Sequence, residues 1–191
     1  LDLEDAVPPS KKPEARQLLR EHVPLVAMGG ATVIVRVNHD TIDDDCEAAL
    51  WPGVSSIYYP KSEWPEEIRY LDAVITRLER ERDILSGSVS IKPLIETAQG
   101  IVNAYAIAAS SPRIREFGET AEGDMTASLG VPFEVLHEVD VLAYPRGVVD
   151  LVARALDKPH LGKLWVQGPT TIVDYGDSDA LFRAARLSMG A

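Results

Sequence analysis

The chain alternates between short runs rich in β-branched or aromatic residues and longer stretches whose apolar residues recur at helical spacing. Thr32 to Asn38 reads TVIVRVN, Ser55 to Tyr59 reads SSIYY, and Ser90 onward reads SIKPLI. A helical stripe follows each run; the clearest is Ile68, Leu71, Ile75 and Leu78 after Pro65. Strands separated by helices cannot pair as hairpins, so they are expected to run parallel, with the helices covering the sheet. TVIVRVN, nearly continuously apolar, is expected to be buried on both faces.

In order, Leu1 to Val7 reads as a strand broken by Pro8 and Pro9. A helix with Ala15, Leu18, Leu19 and Val23 on one face follows, and Asp43 to Leu50 reads as a short helix stopped by Trp51-Pro52-Gly53. After Glu96, the residues Ile101, Ala104, Tyr105 and Ala108 predict a helix. Glu116 to Thr120 reads as a weaker strand leading to Gly123-Asp124. Phe133 to Leu156 reads as helix interrupted at Pro145-Gly147. A last strand over Thr170 to Tyr175 and a helix over Asp179 to Met189 complete about six strands.

The net charge of −11 argues against a nucleic-acid footprint. A single cysteine, Cys46, leaves no internal disulfide and fits a cytoplasmic protein. No apolar run approaches the roughly 18 residues of a membrane span. Cys46 lies in the acidic run DDDCE, which raises a thiol's pKa, so it is a poor nucleophile. Asp43 to Asp45 read as a solvated helix start. The four histidines show no metal-ligand spacing, and Ser128 in TASLG is not a nucleophile elbow.

Charged residues collect at the C-terminal ends of the strands: Glu4, Asp5, Arg36, Lys61, Glu96, Asp124 and Asp174. In a (β/α)8 barrel that end is the mouth where chemistry takes place. No Gly-rich phosphate loop follows any strand, so a barrel is preferred to a doubly wound nucleotide fold. Glu96 and Asp124, on consecutive strand ends, would repel unless a proton or cation lies between them, and a hard divalent cation suits two such carboxylates. Their other reading is pairing with Arg or Lys, or helix capping. Arg36 is either a bidentate site for a substrate carboxylate or a structural bridge to Glu4 or Asp5. Glu4 and Asp5 either orient metal-bound water, or cap the next helix or pair with Lys11 or Lys12.

LDLEDAVPPSKKPEAR, VIVRVN, YYPKSE, PLIETAQGIVNAYAIAASSPRI and GDMTASLGV resemble, in order, the motifs of the HpcH/HpaI aldolase/citrate lyase family, and most closely its citrate lyase beta-subunit-like branch. The resemblance covers essentially the whole chain, strongly to Val131 and loosely beyond. It implies a TIM barrel of the phosphoenolpyruvate/pyruvate superfamily type, with Mg²⁺ held by Glu96 and Asp124. Arg36 would bind the substrate carboxylate, and Glu4 and Asp5 would orient metal-bound water. It further implies a carbon–carbon lyase acting on an acyl-CoA or 2-keto acid, such as malyl-CoA, citramalyl-CoA or a citryl thioester, in a homotrimer or hexamer. A malyl-CoA thioesterase, a CoA-independent hydroxy-keto-acid aldolase and a catalytically silent CoA-ester-binding subunit are the alternatives. Residues 1–191 are expected to form a single barrel domain lacking its first and last strands. The family's N-terminal CoA-contacting loop and C-terminal catalytic Asp are expected outside it.

Overall fold

The structure is a computed structural model, described here for residues 1–118, 121–137 and 139–159. Three parallel strands form its sheet: β1 (Val33–Arg36), β2 (Val54–Tyr59) and β3 (Ser90–Pro93), in the order β1-β2-β3. Both edges continue the pattern. On one side Leu1 to Leu3 lies parallel to β1, with Arg36 N–H donating to Leu1 O and Leu3 N–H to Arg36 O. On the other, Ile91 N–H donates to Arg113 O. Each strand thus neighbours the next in sequence, without the reversal that defines a doubly wound sheet. Such an order is an arc of a (β/α)8-type barrel.

The helices α1 (Lys12–Ala27), α2 (Ile42–Ala49) and α3 (Pro65–Glu81) connect these strands. After β3 come α4 (Ala98–Val102), α5 (Ala104–Ala108), α6 (Glu122–Ser128) and α7 (Ala143–Ala155). The helix expected after Glu96 is therefore two short helices meeting at Asn103, whose side-chain N–H₂ donates to Glu63 O at 2.7 Å. Pro145 and Gly147 do not interrupt a helix but lie in the first turns of α7, where proline's missing N–H costs little. The strand expected over Leu1 to Val7 pairs only through Leu3 and then turns. Of Glu116 to Thr120, Phe117 N–H bonds Pro159 O, and residues 119 and 120 lie outside the described residues, as do the strand and helix expected beyond Thr170.

The sheet's two faces differ, contrary to the expectation for TVIVRVN. Val33, Val35, Val37, Ile57 and Ile91 face the helices and are buried. The register pairs Arg36 with Tyr58 and Tyr58 with Lys92, and Ile34 with Ser56 and Ser56 with Ser90, so these residues share the inner face. The inner face is thus mainly polar and the helix-covered outer face apolar.

The helix layer is locked by Arg113, which is buried. Its guanidinium spends all five of its N–H donors. Nε–H reaches Asp72 Oδ1 at 2.6 Å, Nη1 reaches Glu79 Oε1 at 2.8 Å and Val89 O at 2.9 Å, and Nη2 reaches Glu79 Oε2 at 2.7 Å and Thr76 Oγ1 at 2.8 Å. Asp72, Thr76 and Glu79 lie on one stripe of α3, so a single cation fixes that helix to the edge of β3. Burial raises the Glu79 carboxyl's pKa, but hydrogen bonds from Arg113, Val89 N–H and Gly87 N–H, and the Arg113 charge, outweigh it and lower it overall.

At the mouth end, Ser62 O lies where a Cβ on Gly100 would come within 2.5 Å of it. α4 therefore approaches the β2–α3 turn more closely than any residue but glycine permits.

Arg113→Met strands two carboxylates and should cost about 3–5 kcal/mol in urea unfolding. Because the folded Glu79 pKa is depressed, its contribution is complete above the unfolded carboxyl pKa of about 4.3 and falls as pH drops through the lower folded value. Glu79→Gln should therefore flatten the acid limb of the stability–pH curve. Gly100→Ala should destabilise by about 1–3 kcal/mol through overpacking. A thermal melt checks the sign, because alanine's higher helix propensity alone would stabilise by about 1 kcal/mol.

Candidate functional site

The mouth is built from the turns that leave the strands. Asp2 pairs alongside Arg36, and its Oδ1 accepts the Glu4 N–H at 2.8 Å, folding LDLED into a tight turn. Arg36 grips Asp2 with its fork, Nε–H donating to Oδ1 at 2.9 Å and Nη2–H to Oδ2 at 2.5 Å. Burial raises the Asp2 carboxyl's pKa, but Arg36 and the Glu4 and Ala6 N–H groups outweigh it and lower it overall. The hydrogen bond to Asp2 raises the Arg36 pKa, as do the charges of Asp2, Glu4 and Asp5. Arg36 Nη1 also lies 2.8 Å from Glu4 Oε2 and 3.5 Å from Asp5 Oδ2. The Glu4 approach is not aligned as a hydrogen bond, so Glu4 Oε2 remains a buried acceptor without a hydrogen-bond donor.

Asn38 ties this turn to the body. Its side-chain N–H₂ donates to Leu3 O at 2.9 Å and to Asp45 Oδ2 at 2.6 Å, and its backbone N–H donates to the same Asp45 oxygen at 2.6 Å. Lys12 donates to Asn38 Oδ1 and to Leu3 O. Asp45 is not part of a solvated helix start: it is 0% exposed, with Arg16 Nε–H donating to its Oδ1 at 2.6 Å. Only Asp43 and Asp44 of that run keep the expected exposure.

Glu96 lies three residues beyond β3 and is 1% exposed. Its Oε1 accepts the backbone N–H of Lys61 at 2.9 Å. Lys61 has φ 47°, a left-handed conformation that a non-glycine residue adopts only under strong local constraint. Its ammonium lies 2.9 Å from Glu4 Oε1 and 3.4 Å from Asp124 Oδ1. Lys61 thus joins Glu96, Glu4 and Asp124. Burial raises the Glu96 pKa first of all, the charges of Asp124 and Glu4 add to it, and the Lys61 N–H and ammonium oppose it. For Lys61, burial lowers the pKa, but Glu4, Asp124 and Glu96 outweigh it and raise it overall.

Arg36 and Glu96 open on one cleft of about 470 Å³, lined also by Leu1, Asp2, Ile34, Tyr58, Leu94 and Ala121. The Arg36 side chain, 26% exposed, keeps an edge toward it. Among the described residues no three His, Cys, Asp or Glu side chains form a ready metal-binding group. A hard cation such as magnesium usually takes one or two protein carboxylates and leaves its other positions to water and substrate. Around Arg36 and Lys61 stand five carboxylates, Asp2, Glu4, Asp5, Glu96 and Asp124, and this deficit of positive charge suits such a cation.

The expected residues therefore meet, with differences. Asp124 arrives not from a strand tip but from the first turn of α6. Arg36 has Asp2 as its main partner, rather than Glu4 or Asp5 alone. Asp5 is exposed at the rim. Cys46 is buried, and burial together with the nearby Asp45, Asp43 and Glu47 charges raises its pKa, as the acidic run implied. Ser128 Oγ accepts the Ala98 N–H at 2.9 Å and so braces α4. Sequence reasoning missed the roles of Asp2, Asn38, Asp45 and Lys61. Lys61 was expected at the mouth, just past the end of its strand, but with no role assigned to it.

The chain is 34% identical over 157 residues to the citrate lyase subunit beta of Leuconostoc mesenteroides subsp. cremoris, covering 81% of this chain and 51% of that protein. It is 36% identical over 136 residues to the malyl-CoA/beta-methylmalyl-CoA/citramalyl-CoA lyase of Chloroflexus aurantiacus, covering 68% of this chain and 38% of that one. It therefore spans about half or less of the length of these relatives. The citrate lyase beta subunit of M. tuberculosis, solved with oxaloacetate and magnesium, superposes with a TM-score of 0.63 at 26% identity, covering 98% of this chain and 74% of that one. Haloferax volcanii malate synthase superposes with a TM-score of 0.68 at 17% identity, over 100% of this chain and 58% of that one, which supports the barrel-type fold. With the family's pattern matched over residues 1–158, the chain belongs to the HpcH/HpaI aldolase/citrate lyase family.

Proposed function

We propose that this chain carries the site of a magnesium-dependent carbon–carbon lyase that cleaves, or in reverse forms, a 3-hydroxyacyl-CoA such as malyl-CoA, citramalyl-CoA or a citryl thioester. The products are a 2-keto acid and an acyl thioester. The observation that carries this reading is the buried Glu96 carboxylate, joined through Lys61 to Asp124 and Glu4 and sharing a cleft with Arg36. The lyase names of the relatives, and the oxaloacetate and magnesium of the M. tuberculosis structure, support the same chemistry.

In this reading Glu96 and Asp124 would hold the magnesium ion, and Glu4 and Asp5 would orient water around it. The bound ion supplies Lewis-acid polarisation of the keto-acid oxygens. Arg36 fixes the free carboxylate of the substrate with the edge that Asp2 leaves open, and Asp2 holds the guanidinium plane. Leu94 and Ala121 give the cleft apolar wall beside the charged groups. Cleavage turns the substrate hydroxyl into the keto group and leaves the electron pair on the thioester's α-carbon, which then takes up a proton. The family resemblance also supports a homotrimer or hexamer as the working assembly.

Glu96→Gln and Asp124→Asn should each lower magnesium-dependent turnover of malyl-CoA by more than about 100-fold, because even outer partners of a metal site are worth about 10–100-fold. Chromatography of the products gives the check. Keto acid plus acetyl-CoA supports the lyase, free malate plus CoA would make it a thioesterase, and full activity in Glu96→Gln would overturn the assignment.

A further inference from the structure

Lys61 is absent from the residue set argued for the lyase, yet it contacts three of its acids, Glu96, Glu4 and Asp124. Its backbone N–H holds Glu96 from a left-handed turn, and its ammonium lies between Glu4 and Asp124. The turn is held in place independently of the side chain. Ser62 N–H bonds Leu94 O at 3.0 Å, Ser62 Oγ–H bonds Tyr59 O at 3.0 Å, and Gly100 packs against Ser62 O. The backbone job and the ammonium job are therefore separable: replacing the side chain leaves the N–H to Glu96 in place. The Lys61 side chain is 39% exposed, so its long stem has solvent to move into.

We propose that Lys61 is the positioning residue of this site and that its ammonium is an internal counter-ion for Asp124, which a divalent cation displaces on binding. The proposal rests on the assignment of Glu96 and Asp124 as the metal-holding pair. The ammonium contacts Asp124, so an arriving cation meets a like charge at the carboxylate it needs, and the two compete. In the metal-free protein Lys61 relieves repulsion among the acids. On binding it leaves Asp124 and keeps Glu4, its closer partner at 2.9 Å. A lysine that served only to hold the turn would show no such competition.

Titration calorimetry of Mn²⁺ into the full chain tests this, with Lys61→Met removing the charge and Lys61→Arg keeping it. Lys61→Met should bind Mn²⁺ at least about threefold more tightly and Lys61→Arg close to wild type. Metal-free Lys61→Met should also melt below wild type, so that the gain in melting temperature on adding Mn²⁺ widens. Equal or weaker Mn²⁺ binding by a folded Lys61→Met overturns the counter-ion role while leaving the metal site standing. No Mn²⁺ binding by wild type overturns the metal site, and this proposal with it. Should Lys61→Met fail to fold, wild type alone decides. Mn²⁺ should speed labelling of the Lys61 amine by an acylating reagent, read by mass spectrometry, and unchanged or slower labelling overturns the displacement.

Discussion

A carboxylate withdrawn from water needs donors, and for Glu96 the structure supplies one from a backbone 35 residues away. That hydrogen bond depends on β2 and β3 being parallel neighbours in register, since the pairing of Tyr59 with Pro93 brings Lys61 level with Glu96. It also depends on Lys61 accepting a left-handed backbone, and on Gly100 letting α4 close over Ser62. A strand pairing, a strained turn and a glycine contact therefore converge on one oxygen atom. This convergence fixes where the site's acid can stand.

Two arginines show how the fold separates structural charge from working charge. Arg113 lies on the outer side of β3 with every donor spent on α3 and Val89, and nothing is left over for a ligand. Arg36 lies on the inner side, clamped by Asp2 along one edge and open to the cleft along another. The same side chain type serves packing in one place and recognition in the other. The difference is set by which side of the sheet it occupies and by whether every N–H donor is spent.

The barrel topology was legible because strand and helix periods are local properties. TVIVRVN, SSIYY and SIKPLI, each followed by a helical stripe, predict parallel βα units, and the strands form where those runs stand. Glu96 was legible too, as a charge at the end of an apolar run. Asp45 was misread because its neighbours Asp43 and Asp44 are solvated and nothing local distinguishes the third. Its burial comes from Asn38 and Arg16, which reach it from other elements. Asp124 was expected at a strand end, whereas it stands in the first turn of α6.

By itself, the sequence determined the alternation of elements, much of the apolar face its helices bury, though Leu18 and Tyr105 of the expected stripes are exposed, and the Glu96 acid and Arg36 at strand ends. These follow from side-chain periodicity and from the cost of placing charge within a buried strand. Only the tertiary structure decided that Asp2 is the clamp on Arg36, that Asn38 and Asp45 anchor the first turn, and that Lys61 binds Glu96, Glu4 and Asp124 together. Those contacts span tens of residues, and they exist because a parallel, sequentially ordered sheet brings its successive C-terminal turns side by side.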